Sequence, residues 1–256
     1  MHAPHSELAQ RVADVCDRVR ARRPRVHCIT NTVAQSFTAN ALLALGAVPS
    51  MTVSPEEVGT FVAHADALLI NLGTLDAEGR TACEIAIEAA GKAGTPWVLD
   101  PVFVDRSQPR AAFARSLVAR QPRAIRLNGV EFATLAGADA SEEIIARFAR
   151  EHRCVVGLTG VADIVCDGER RAAIANGDAL MAKVTAMGCA ASALVAACLA
   201  VDSEAWCATV AGLTILGVAG EAAASRAQGP GSFAVAIIDA LSTLDRKTLS
   251  DRARVK

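Results

Sequence analysis

Five short apolar runs punctuate the chain up to residue 160: RVHCIT (25–30), ALLINLG (67–73), PWVLDP (96–101), AIRLN (124–128) and CVVGLTG (154–160). Each has the length of a buried strand and is followed by a longer segment with helical periodicity or helix caps. Such alternation predicts a parallel sheet with helices on both faces. After CVVGLTG the pattern changes. ADIVCDGERRAAIAN (162–176) reads as two strands joined by an Asp167-Gly168 turn, a hairpin signal, and from Gly188 onward the chain reads as helical. The fold class expected is α/β, a central, mostly parallel sheet flanked by helices with a helical C-terminal part. No internal repeat or low-complexity linker divides it, so residues 1–256 read as one domain. It begins with an amphipathic helix over residues 1–20 and ends in a solvated, frayed tail over 245–256.

In such folds ligands bind at the carboxyl ends of the strands. Those ends carry Asn31, Asn71, Asp100, Asn128 and Thr159-Gly160. Asn, Asp and Thr are also ordinary helix N-caps, so a polar ligand rim and a set of caps would look alike. Asp100 and Glu131 lie at the ends of elements expected to be adjacent and suit a shared Mg²⁺, which takes oxygen ligands and keeps several waters. The spacing Asn128 to Glu131 equally fits a capping box. VTAMGC (184–189) is a turn leading into a helix of small residues, whose free amides and positive dipole end suit a phosphate. Neither a GxxxxGK[ST] nor a GxGxxG phosphate motif occurs.

Composition narrows the class. Lys+Arg number 26 against Asp+Glu 27, a net charge of -1, which gives no basic footprint for nucleic acid. The apolar C-terminal stretches are broken by Glu204, Glu221 and Arg226 and by Gly212, Gly217 and Gly220, which argues against a membrane span. The N-terminal segment is amphipathic and charged rather than a secretory leader. The eight cysteines are scattered, with no CxxC and no zinc spacing. They read as reduced, packed thiols of a cytoplasmic protein, with Cys189, at the start of the last helical stretch, as the candidate exception.

VHCITNTVAQSFTANALLALGAVPSM, INLGTL, PWVLDPV, IRLNGVE, GLTGVADIVCDGER, VTAMGCAASALVAA and GPGSFAVAIIDAL occur together and in order. In this the chain resembles the hydroxyethylthiazole kinases over roughly residues 24 to 244. The resemblance implies a ribokinase-like fold and an enzyme that uses ATP and Mg²⁺ to phosphorylate the hydroxyl of 4-methyl-5-(2-hydroxyethyl)thiazole, a salvage step toward thiamine. It also implies a homotrimer with interfacial active sites. Carried onto this chain, Met51 and the backbone at Ala186 would contact the thiazole. Arg126, Asn128, Thr159 and Gly188 would contact ATP, and Asp100 and Glu131 would hold Mg²⁺. Cys189 occupies the position where ribokinase-like relatives commonly carry an aspartate base, and it is expected to accept or relay the substrate proton. A thiol at a helix N-terminus ordinarily has a lowered pKa, although ATP's phosphates would disfavour a thiolate.

Two departures stand out. The family's phosphate turn usually reads Gly-Thr-Gly-Cys, whereas this chain has Ala186-Met187-Gly188-Cys189, and VFVDRSQPR (102–110) replaces a Gly/Ala/Thr-rich loop. If the turn needs φ > 0, Ala186 costs roughly 1 kcal/mol there. Met187 is expected to narrow the pocket. The alternatives are a kinase for a related heterocyclic alcohol such as hydroxymethylpyrimidine, and a catalytically impaired thiazole or nucleotide binder.

Overall fold

The computed structural model describes residues 7–256; the first six residues of the expected N-terminal helix lie outside them. The chain runs α1 (Glu7–Arg22), β1 (Arg25–Ile29), α2 (Gln35–Leu45), β2 (Val48–Ser50), α3 (Val58–Ala63) and β3 (Ala67–Asn71). It continues through α4 (Ala77–Ala93), β4 (Trp97–Asp100), α5 (Gln108–Val118), β5 (Ala124–Asn128), α6 (Gly129–Ala136) and α7 (Glu142–His152). Then follow β6 (Val155–Thr159), β7 (Asp163–Cys166), β8 (Arg171–Ile174), α8 (Met187–Leu199), α9 (Ala205–Ala224), α10 (Pro230–Thr243) and α11 (Arg246–Arg252). All five apolar runs are strands, and the hairpin turns at Gly168, whose φ of 99° suits glycine.

The strands form one eight-stranded sheet in the order β2-β1-β3-β4-β5-β6-β7-β8. Pairing is parallel from β2 to β6 and antiparallel for β7 and β8. Side-chain alternation sorts the strands' residues between two cores. Val26 and Cys28, Ala67 and Leu69, Val98 and Ala124 pack with α1, α2 and α8 to α11 on one face. Ile29, Leu68 and Ile70, Trp97 and Leu99, Ile125 and Leu127 pack with α3 to α7 on the other. Caps stop the helices where short polar residues and glycines predict: Asp76 accepts from Gly79 N (2.7 Å), Ser141 from Ile144 N (3.2 Å), and Gly94 and Gly137 are left-handed.

Two elements depart from expectation. β2 is the three-residue edge strand VPS, with Pro49 tolerated because its far side carries no ladder. The tail over 245–256 is not frayed: Asp245 caps α11 by accepting from Thr248 N (2.7 Å), and Val255 is buried and bridges Ile174 of β8. Tertiary pairing with the free edge of β8 overrides the tail's polar composition. Among the described residues one helix, α9, is long and apolar enough to cross a bilayer; 83% of its apolar window is buried inside the fold, as a core helix requires.

β1 connects to β2 on one side, while β3 connects to β4 on the other. The carboxyl ends of β1 and β3 therefore flank the crevice where doubly wound sheets bind ligands.

Candidate active site

Asp100, the last residue of β4, is fully buried. Its Oδ2 accepts hydrogen bonds from Asn71 Nδ2 (2.8 Å), at the end of β3, and from Ser192 Oγ (2.7 Å), one turn into α8. Its Oδ1 is buried with no hydrogen-bond partner. Loss of water raises the carboxyl to about 6; the Arg126 guanidinium opposes this and the Glu131 charge adds to it. A carboxylate raised this far is still mostly ionised at neutral pH.

Cys189 sits over the crevice. Its sulfur accepts from Asn31 Nδ2 (3.3 Å), which follows β1, and from Asn71 Nδ2 (3.4 Å). Gly73 admits this arrangement, since a Cβ there would stand 2.7 Å from Asn31. The lowered pKa expected of a cysteine at a helix N-terminus does not occur. Burial, and then the Asp100 charge, push the thiol up to about 11, so Cys189 is a neutral thiol at physiological pH.

The turn before it is left-handed at Ala186 (φ 73°, ψ 0°), which is the N-cap residue of α8 and offers no side-chain cap. An alanine is strained in this conformation where a glycine would not be. Ala186→Gly is expected to stabilise the protein by about 1 kcal/mol, the relief of left-handed strain less the added unfolded-state entropy. Thermal melting would show it as a rise of about 2–4 °C, and an unchanged or lower melting temperature would refute the strain.

Arg126 lies on β5 and donates from Nη2 to Thr159 Oγ1 (2.7 Å) on the neighbouring β6, while its Nε is buried without a partner. Gly188 packs directly on the guanidinium: a Cβ at that position would stand 2.7 Å from Arg126 Nη1. Arg126, Thr159, Met187 and Gly188 together line an open cleft of 640 Å³, whose apolar side includes Met181, Leu213 and Leu216. Met187 thus reaches the cleft, as expected from its place in the turn.

Asn128 and Glu131 form the capping box of α6. Asn128 Oδ1 accepts from Val130 N and Glu131 N (both 2.9 Å), and Glu131 Oε2 accepts from Asn128 N (2.9 Å). Glu131 Oε1 also accepts from Phe103 N (3.1 Å), which ties the 102–110 loop to this corner. Neither residue lines the cleft. Among the described residues no three His, Cys, Asp or Glu side chains form a metal cage.

Met51 follows β2, is half-buried, packs against the core and does not line the cleft. Its neighbours are both held by the buried His27 of β1. Nδ1 lies 2.8 Å from Ser50 Oγ and Nε2 3.1 Å from the Thr52 carbonyl. The carbonyl requires Nε2 to carry the proton, leaving Nδ1 to accept from Ser50, and burial lowers the imidazole pKa, favouring that neutral form.

The family described as "HK: Hydroxyethylthiazole kinase family" matches residues 16–247. The chain belongs to this family. It is 43% identical over 248 residues to the probable hydroxyethylthiazole kinase of Agrobacterium fabrum, covering 97% of this chain and 96% of that protein. It is 43% identical to the hydroxyethylthiazole kinase of Pectobacterium carotovorum, covering 96% and 98%. The structure of the hydroxyethylthiazole kinase protein from Pyrococcus horikoshii superposes with a TM-score of 0.90 at 37% identity, covering 96% of this chain and 98% of that one. A ribokinase-like superfamily protein from Enterococcus faecalis (TM-score 0.68, 14% identity, covering 89% of each chain) shares the fold. The residues expected to form the site lie in three places apart from Met51 and Ala186: the Asp100–Cys189 crevice, the Arg126–Thr159–Gly188 cleft, and the capped corner of Asn128 and Glu131.

Three further residues hold the crevice. Asn31 and Asn71 stand out in the sequence only as polar strand ends, and Ser192 is the single hydroxyl in the apolar run from Ala190 to Val201. A lone polar residue on a helix otherwise made for burial is the signal that points to Ser192.

Proposed function

We propose that the protein transfers the γ-phosphoryl group of ATP to the hydroxyl of 4-methyl-5-(2-hydroxyethyl)thiazole, a salvage step toward thiamine. The observation that carries this reading is the junction of two features at the switch point. A buried, ionised Asp100 is linked through Asn71 to Cys189, and an Arg126-lined cleft opens at the same turn.

Two buried polar atoms of opposite charge lack partners there, Asp100 Oδ1 and Arg126 Nε. They fit Mg²⁺ and phosphate respectively, since Mg²⁺ needs only one or two carboxylates and takes its remaining ligands from phosphates and water. Asp100 would hold the ion, with Glu131, whose oxygens each accept one amide and keep free lone pairs. When bound, Mg²⁺ supplies charge neutralisation to the transferring phosphoryl group. The chain supplies the rest. Arg126 and the free amides at the start of α8 bind phosphate oxygens. Thr159 fixes the guanidinium and Gly188 makes room for it. Met51 faces the thiazole, and the backbone at Ala186 contacts it.

Cys189, protonated at rest, orients the substrate hydroxyl and relays its proton, passing its own S–H proton to an oxygen of the transferring phosphoryl group as the new O–P bond forms and the bond from the γ-phosphorus to the bridging oxygen breaks to leave ADP. A loose transition state needs positioning more than a strong base. Cys189→Ala is expected to lower kcat about a hundredfold, the low end for a positioned proton-transfer group. Cys189→Asp keeps or raises it, because Asn31 and Asn71 already point donors at the position. Steady-state rates decide; full activity in the alanine variant would remove Cys189 from the proton path.

The reaction itself is tested by ADP release with ATP-Mg²⁺ and a panel of thiazole and pyrimidine alcohols. Turnover with the thiazole supports the reading. Turnover with pyrimidines alone reassigns the substrate to a hydroxymethylpyrimidine-like alcohol, and thiazole binding without turnover marks an impaired binder.

A homotrimer with interfacial sites has support in the exposed apolar residues Val33, Leu43, Val48, Val53 and Phe61. All five fall in the segments around the open β2 edge, a surface that another copy would cover. All eight cysteines are free and buried, in keeping with a cytoplasmic protein.

A further inference from the structure

One wall of the 640 Å³ cleft is a strap, residues 175–183, that leads from β8 toward the turn before α8; Asn176, Gly177, Asp178 and Met181 face the cleft from it. The strap is held from behind by the end of the chain. Ala173 and Lys256 exchange backbone hydrogen bonds (2.7 and 3.0 Å), and Ala175 N donates to Arg254 O (2.9 Å). The Asn176 side chain is spent on the same contact. Its Oδ1 accepts from Arg254 N (2.6 Å), and its Nδ2 donates to Arg252 O (2.8 Å) and Glu221 Oε1 (3.0 Å).

Glu221, on α9, is the centre of this arrangement. Its Oε1 also accepts from Gly177 N (3.0 Å) and from Arg254 Nη2 (2.6 Å), and its Oε2 accepts from Arg254 Nη1 (3.2 Å) with Arg252 at 3.6 Å. Arg254 Nη2 donates as well to the carbonyl of Ala175 (2.5 Å). The carboxylate is only 12% exposed, and the two-point pair with Arg254 balances a nearly buried charge whose other hydrogen-bond partners are strap groups. The Asp178 side chain then caps the 3-10 helix Ala179–Lys183 that carries Met181. A continuous set of contacts therefore runs from the chain end through Glu221 to the cleft wall.

We propose that residues 252–256 and Glu221 are a positioning device for the nucleotide. They set the strap against which ATP binds, and Arg254 and Glu221 act through the strap rather than by touching ATP. The proposal rests on the reading that the cleft takes ATP.

The test uses Arg254→Ala, Glu221→Gln and, as a control, Lys247→Ala, which removes a cation paired with Asp251 on α11 and makes no strap contact. Three quantities are measured: ATP-Mg²⁺ affinity by calorimetry, KM for each substrate, and hydrogen exchange of amides 176–183 without ligand. Arg254→Ala is expected to weaken ATP binding about tenfold, with the KM for the thiazole within about twofold, and to speed strap exchange. Glu221→Gln, which retains an acceptor for Gly177 and Asn176, gives a smaller effect, and Lys247→Ala gives none. A lowered melting temperature with ATP affinity and strap exchange unchanged would make the contacts structural only and overturn the proposal. Wild-type protein that binds no ATP would overturn the cleft reading and this proposal with it, and that result is seen before any variant is compared.

Discussion

Asp100→Asn is expected to reduce turnover by about three orders of magnitude or more while making the protein more stable at neutral pH. The buried carboxyl titrates near 6 in the folded state, against an ordinary value of 3.8. Between those values the folded protein holds more protons than the unfolded chain, so the stabilising effect of a protonated Asp100 is complete below 3.8 and is lost as pH rises through 6. Above that, keeping the charge costs up to about 3 kcal/mol relative to a neutral group of the same shape. The asparagine removes that cost, but its single oxygen is needed to accept from Asn71 and Ser192, so an NH2 group takes the place of Oδ1 and cannot ligate a cation. A rise of about 6–12 °C in melting temperature at pH 7.5, roughly halved near pH 5 and gone only below the ordinary value of 3.8, is the expected signature. Full activity at limiting Mg²⁺ would take Asp100 out of the reaction, and a stability difference independent of pH would show that its charge is not the cause.

Gly188→Ala has the second large effect. Its Cβ would lie 2.7 Å from Arg126 Nη1, so the guanidinium must swing away and give up its bond to Thr159. The KM for ATP is expected to rise about tenfold to hundredfold, with the KM for the thiazole little changed. The mechanism is separable from a general disturbance of the turn by a double-mutant cycle. In an Arg126→Ala background the Cβ has nothing to displace, so Gly188→Ala should then cost almost nothing. Additive losses would refute the steric account.

Much of the fold is readable along the chain because strand and helix periods are local. ALLIN, WVLD and AIRLN are strands whose alternate residues feed two cores, and the Asp167-Gly168 turn announces its hairpin. β2 is too short to leave a period. The tail over 253–256 has no apolar pattern beyond Val255, and its order comes from β8, some eighty residues earlier in the chain. Within the site the polar strand ends were visible as a set, but their use was divided by tertiary contacts. Asn128 caps α6 and is spent on backbone amides, whereas Asn71 is turned toward Asp100 and Cys189.

The order of apolar and polar residues by itself determined the α/β class and the strands that carry Asp100, Arg126 and Thr159, while the resemblance of several motifs, occurring together and in order, pointed to the family. What only the tertiary structure decided is the chemical state of those groups. Whether Cys189 is a thiolate or a thiol depends on how much water and charge surround it, and α8 and the ends of β3 and β4 bury it beside Asp100. Whether Arg126 can point into the cleft depends on a missing Cβ on another element. Periodicity is a property of neighbours along the chain, while desolvation and close approach are properties of neighbours in space.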